Sequence, residues 1–179
     1  MKRLMLLVLS LATALVFVPS AALAGSATHT YILEMGAPNF GTAANGDMVS
    51  ITGSADFSVH PKSAEGSGRF THTASDGTVR ARGTWTVTGL LVYQSYGCGV
   101  VQGTPLPPNF CGGKVKLRVT LTTPAGQFPA IMTVICIIGP NPPNSALGDK
   151  RSEGAMLVVP GVINFNHTAG GDNVILQTG

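Results

Sequence analysis

The chain is poor in charge and shows no helical periodicity beyond residue 24. Asp, Glu, Lys and Arg make up only 11% of its 179 residues. Together with abundant Gly, Thr, Val and Pro, this suits an extracellular all-β domain with many turns. No H-E-x-x-H, G-x-S-x-G, Walker or calcium-hand pattern occurs, so no recognised catalytic or metal motif is present. The three cysteines lack the C-x-x-C spacing of a zinc site. Gly66-Ser67-Gly68 and Cys111-Gly112-Gly113 precede no helical pattern, and so are turn glycines rather than phosphate cradles. No cofactor, no metal and no catalytic residue is expected. No later stretch approaches the roughly 20 apolar residues of a membrane-spanning helix.

What is present begins with Met1-Lys2-Arg3, an apolar run from Leu4 to Val18, and Ala22-Leu23-Ala24-Gly25. A positive start, an apolar middle and an A-x-A site are the three parts of a secretory signal peptide. The expectation is a cleaved leader over 1–24 and a single secreted or periplasmic domain over 25–179. Lys2 and Arg3 leave with the leader, so nine basic residues face eight acidic ones, and nucleic acid is not an expected partner.

Along 25–179, period-two alternation and turn residues recur. Strands are expected at Thr30–Met35, Met48–Val59, on both sides of Ser75-Asp76-Gly77, and at Leu91–Tyr96. Others follow at Lys114–Leu121, Phe128–Ile138, Met156–Val159, Val162–His167 and Val174–Gln177. Asp-Gly tolerates the positive φ of a tight hairpin. Gly89-Leu90 breaks the alternation and predicts a bulge. Pro38–Gly46, Gly97–Gly113 and Gly139–Glu153 read as loops, and the last two are where specificity would sit. Roughly eight to ten strands imply an antiparallel β-sandwich or β-barrel.

Trp85, the only tryptophan, falls on the apolar face of its strand, as a core anchor or as a stacking platform for a ligand. Export places the cysteines in an oxidising compartment. Cys98 with Cys111 is the favoured disulfide and Cys136 a buried free thiol, although pairing of Cys136 with either partner is open on spacing alone. His72 and His167 occupy similar segments, F-T-H-T-A and F-N-H-T-A, two hairpins with related turn chemistry or a weak repeat. With Asp76 or Asp172 they would form a metal or acid/base cluster; otherwise they are polar residues at strand ends. Arg80 and Arg82 on one strand, with Lys114, Lys116 and Arg118 on another, would make a basic outer stripe. Such a stripe serves solvation and protection of a sheet edge, or meets an anionic polysaccharide or lipid headgroups.

The stretch G-R-F-T-H-T-A-S-D-G-T-V-R-A-R-G-T-W (Gly68–Trp85), with Y-G-C-G and P-P-N-F-C-G-G, resembles small secreted proteins of soil bacteria that carry no assigned activity. The Gly-rich β segments are also faintly similar to dirigent-like and allene-oxide-cyclase-like barrels. These resemblances imply a β fold and transfer no functional residue. The expected role is non-catalytic: binding a small apolar molecule, a carbohydrate or a cell-surface component. The alternatives are an exported barrel enzyme using His72 and His167 as acid and base, and a structural envelope or spore-surface protein. Oligomeric state is left open.

Overall fold

The computed structural model describes residues 28–143 and 153–179. The leader expected over 1–24 and most of the expected loop Gly139–Glu153 lie outside the described residues. Among the described residues there are ten strands: β1 (Thr30–Ala43), β2 (Met48–Ser58), β3 (Ser63–Thr73), β4 (Val79–Cys98), β5 (Val100–Val101), β6 (Thr104–Pro105), β7 (Phe110–Thr123), β8 (Gly126–Cys136), β9 (Gly154–Val159) and β10 (Ile163–Gln177). Eight of them close an antiparallel barrel in the order β1-β10-β9-β8-β7-β4-β3-β2, while β5 and β6 form a separate two-stranded ribbon. The barrel, not the sandwich, is therefore the architecture.

Alternation dictates the inside. Val49, Ile51, Ala55 and Phe57 of β2 point inward with Leu33, Trp85, Val115, Leu117, Val119, Met132, Val134, Leu157 and Ile175. Burying each Val, Leu, Ile, Phe or Met among them stabilises the fold by about 1.5–3 kcal/mol before entropy is counted. The β3–β4 hairpin turns at Asp76-Gly77 as its sequence requires: Gly77 has φ 86° and Thr78 N–H donates to Asp76 Oδ1 at 2.8 Å. Register shifts beside Gly89 let β4 run unbroken to Cys98 instead of ending near Thr88. Likewise β1 passes through the expected loop around Pro38. The ladders skip there, so the missing N–H of proline leaves no gap in pairing.

Trp85 is 1% exposed. Its Nε1–H donates to Thr52 O at 3.0 Å, and the indole lies over Gly53 and Gly68. A Cβ on either glycine would come within 2.6 Å of the ring, so the two glycines form the slot that admits it. The stacking-platform reading is thereby corrected: no face of the indole is open to a ligand.

At one end of the barrel lie the four tight turns β1–β2, β3–β4, β7–β8 and β9–β10. At the other, β9 stops at Gly154 and β10 closes directly on β7, pairing Ile175 with Cys111 and Leu176 with Phe110. The seam between β8 and β10 is bridged by side chains. Glu153 accepts Ile137 N–H at 2.8 Å and Asn173 N–H at 3.5 Å, and Asn173 Nδ2 donates to Ile135 O at 2.9 Å and Asn39 Oδ1 at 2.7 Å. Cys98 and Cys111 stand opposite each other on β4 and β7 and form a disulfide, while Cys136 is free and buried. Burial pushes its thiol up to about 12, so it is an inert S–H that donates to Asn173 O at 3.0 Å.

Candidate functional site at the turn end of the barrel

The turn end of the barrel holds an apolar cavity of about 170 Å³. Phe70 of β3, Leu121 of β7, Phe128 of β8, Leu157 of β9 and Phe165 of β10 line it, with Ala81 of β4 and the exposed Val162 towards solvent. Each projects inward near the end of its strand, where the barrel is no longer filled from both sides. The one side chain with ring nitrogens among the lining residues is His72.

His72 lies inward because it is two residues from Phe70 on β3, and Val49 of β2 is its direct partner. Asp47 precedes Val49 by two residues, the diagonal position on the same face. His72 Nε2 and Asp47 Oδ2 are 2.8 Å apart, with both side chains largely buried. Asp47 Oδ1 also accepts Ser75 N–H at 3.2 Å, so one carboxylate ties together the β1–β2 turn, the β3–β4 turn and the imidazole. The hydrogen bond from His72, with those from Ser75 and Asn45, holds the Asp47 carboxyl below the usual carboxylate range despite opposing desolvation. In the neutral imidazole the proton facing this carboxylate sits on Nε2, and Nδ1 presents a lone pair. Among the described residues Nδ1 has no hydrogen-bond partner. The ring also meets Phe165 edge-on, with centroids 5.0 Å apart.

The two F-x-H-T-A segments thus meet through His72 and Phe165, not through two histidines. His167 is exposed and does not line the cavity. Across from it, Thr42 pairs with His167 and Ala43 with Phe165, so Asn166 is an extra residue on β10. That bulge shifts His167 off the inward phase set by Phe165. Neither Asp76 nor Asp172 joins His72: Asp76 caps its own turn through Thr78, which lowers its carboxyl, and Asp172 lies beside Gly36. Asp47, the partner actually used, carries no signal in the sequence beyond its place in a turn.

Arg80 and Arg82 are exposed on the outer wall of β4 and do not line the cavity. No lining residue comes from Gly97–Gly113, which sits at the disulfide end. Among the described residues no group of three or more His, Cys, Asp or Glu could hold a metal ion, and no helix is long and apolar enough to cross a membrane. Comparison with protein-family models, curated proteins and solved structures returns no match for the chain.

Proposed function

We propose that this is an exported binding protein whose barrel end takes up a small apolar molecule, about one ring in size, bearing a hydroxyl group. The observation that carries this reading is the apolar cavity lined by His72, whose Nδ1 has no partner among the described residues, while the other polar lining side chain, Thr123, is taken up by Gly126 O and Ala125 N–H. A dry cavity of about 150 Å³ suffices for a benzene-sized guest, and 170 Å³ matches that scale. The hydroxyl donates to Nδ1 while Asp47 fixes the ring. The disulfide and the leader-like first residues support an oxidising, extracytoplasmic setting.

Calorimetry with p-cresol and toluene tests this reading. The wild type should bind p-cresol about fivefold more tightly than toluene, the worth of one net hydrogen bond. His72→Leu should erase the preference and keep toluene binding, and Ala81→Leu should lose both. Absence of binding by the wild type, or binding that survives Ala81→Leu, would overturn the site. The same pair also has the arrangement of a general base and its orienting carboxylate. Turnover of a bound compound that is lost in Asp47→Asn at unchanged affinity would make the site catalytic.

A further inference from the structure

The outer wall of β3, β4 and β7 carries six cations: Arg69, Arg80, Arg82, Arg118, Lys116 and Lys114. Neither β4 nor β7 contains a single Asp or Glu, and β3 has only Glu65, near its far end. Among the described residues the one ion pair within 4 Å is His72–Asp47; Arg80 stands near enough to Asp76 of the β3–β4 turn to help lower its carboxyl, and the other five cations form no ion pair. The register sets their layout. Arg82 lies opposite Thr71 and Arg69 opposite Thr84, which pairs in turn with Thr122; Arg118, Lys116 and Lys114 then follow along β7. The stripe runs diagonally for about 40 Å at 3.3 Å per residue.

Lys and Arg on strands commonly guard a free edge. Both β4 and β7 are paired on each side within a closed barrel, so there is no edge for them to guard. Solvation alone does not call for a single sign of charge, and the exposed carboxylates Glu34, Asp56 and Glu65 gather on β1, β2 and the far end of β3, leaving Asp76 in the turn at one end of the stripe and Asp172 on β10.

We propose that the stripe docks a linear anionic glycan, a polysaccharide bearing carboxylates along its length. A run of unpaired cations this long is complementary to a chain of regularly spaced anions rather than to one small ion. Exposed threonines between the cations offer hydroxyls to sugar oxygens. Shallow hollows on either side of Pro124, both bordered by Arg82, give the chain a track. A bilayer fits less well: it is flat, the barrel wall is convex, and the exposed apolar residues of β4, Val79 and Val92, stand far apart along the strand.

Affinity electrophoresis through gels containing polygalacturonate, with neutral dextran as the blank, tests the proposal. The wild type should be retarded by polygalacturonate and not by dextran. Retardation should weaken as salt rises from about 25 to 300 mM, because the Debye length falls below the spacing of exposed charges. Arg82→Ser should weaken binding about fivefold and Arg69→Ser/Arg82→Ser at least about tenfold. Glu34→Gln, which changes the charge by one unit on the exposed side of β1, away from the stripe, should change it less than about twofold. Unchanged melting temperatures of these outward-facing variants would establish that they fold. No retardation, a change in Glu34→Gln as large as that in Arg82→Ser, tighter binding to phosphatidylglycerol vesicles than to the glycan, or self-association at low salt that accounts for the retardation would each overturn it.

Discussion

Asp47 shows how one residue can hold a site that no local motif marks. Its carboxylate accepts from the Ser75 backbone and faces His72, and these bonds lower its pKa from an ordinary 3.8. A carboxyl depressed in the folded state contributes stability that is fully present above the unfolded value and fades as pH falls through the folded one. Asp47→Asn should therefore be less stable than the wild type near neutrality. The gap should narrow progressively as pH drops below 3.8. Urea unfolding at a series of pH values measures this, and a gap that does not change with pH would show that the carboxylate's charge does not contribute. His72 was identifiable from its residue type and position near a strand end. Asp47 was not, because a diagonal partner follows from strand register, and register between β2 and β3 depends on the length of the β2–β3 turn as much as on either strand.

At the scale of the element, the strands that could be read off the chain are those with clean alternation and a chemical stop. Met48–Ser58 ends at His60-Pro61, and the Asp76-Gly77 hairpin falls where Asp-Gly requires it. What escaped was continuity. Neither the passage of β1 through Pro38 nor the single long β10 is legible, because bulges absorb the residues that break the pattern. The same mechanism displaced His167: one extra residue on β10 reverses its side, and alternation alone gives no warning of it. The seam beside β9 is a further case, where Glu153 and Asn173 stand in for the ladder that the short strand cannot supply. Burial raises the Glu153 carboxyl above its ordinary 4.5, with nearby Asp172 adding to the shift and the Ile137 and Asn173 N–H bonds opposing it. The sign is opposite to that of Asp47. The folded state favours the protonated carboxyl, so its contribution is fully present below pH 4.5 and is lost as pH rises through the raised value. Relative to Glu153→Gln, the wild type should lose stability over that interval and run parallel to it at lower pH. Paired denaturation curves check this, and a slope of the other sign would mean that the two N–H bonds outweigh desolvation.

The whole molecule depends on closure. A sheet of eight strands left open would present two long edges with unpaired N–H and C=O groups, and a barrel removes both. Here the ends of the described chain make the closing bond: Thr30 N–H donates to Gly179 O at 3.1 Å and Thr178 N–H to Thr30 O at 2.9 Å. The last stretch of β10 lies between β1 and β7, pairing Leu33 with Ile175 on one side and Cys111 with Ile175 on the other. Ile175 and Leu33 are both completely buried. Removing residues 173–179 would therefore uncover the edge of β1 over Tyr31–Met35 and open the core. It would also take away Asn173, which links Glu153, Asn39 and Ile135 across the seam. Loss of one buried aliphatic side chain alone costs about 2–5 kcal/mol, a large part of the 5–15 kcal/mol that a domain has in total. The truncated chain should consequently melt well below the full one and, where it stays folded, associate through the new edge. Size-exclusion chromatography and thermal melts of the two chains compare them directly. A truncated monomer with an unchanged melting temperature would mean that the barrel does not need its last strand segment to close.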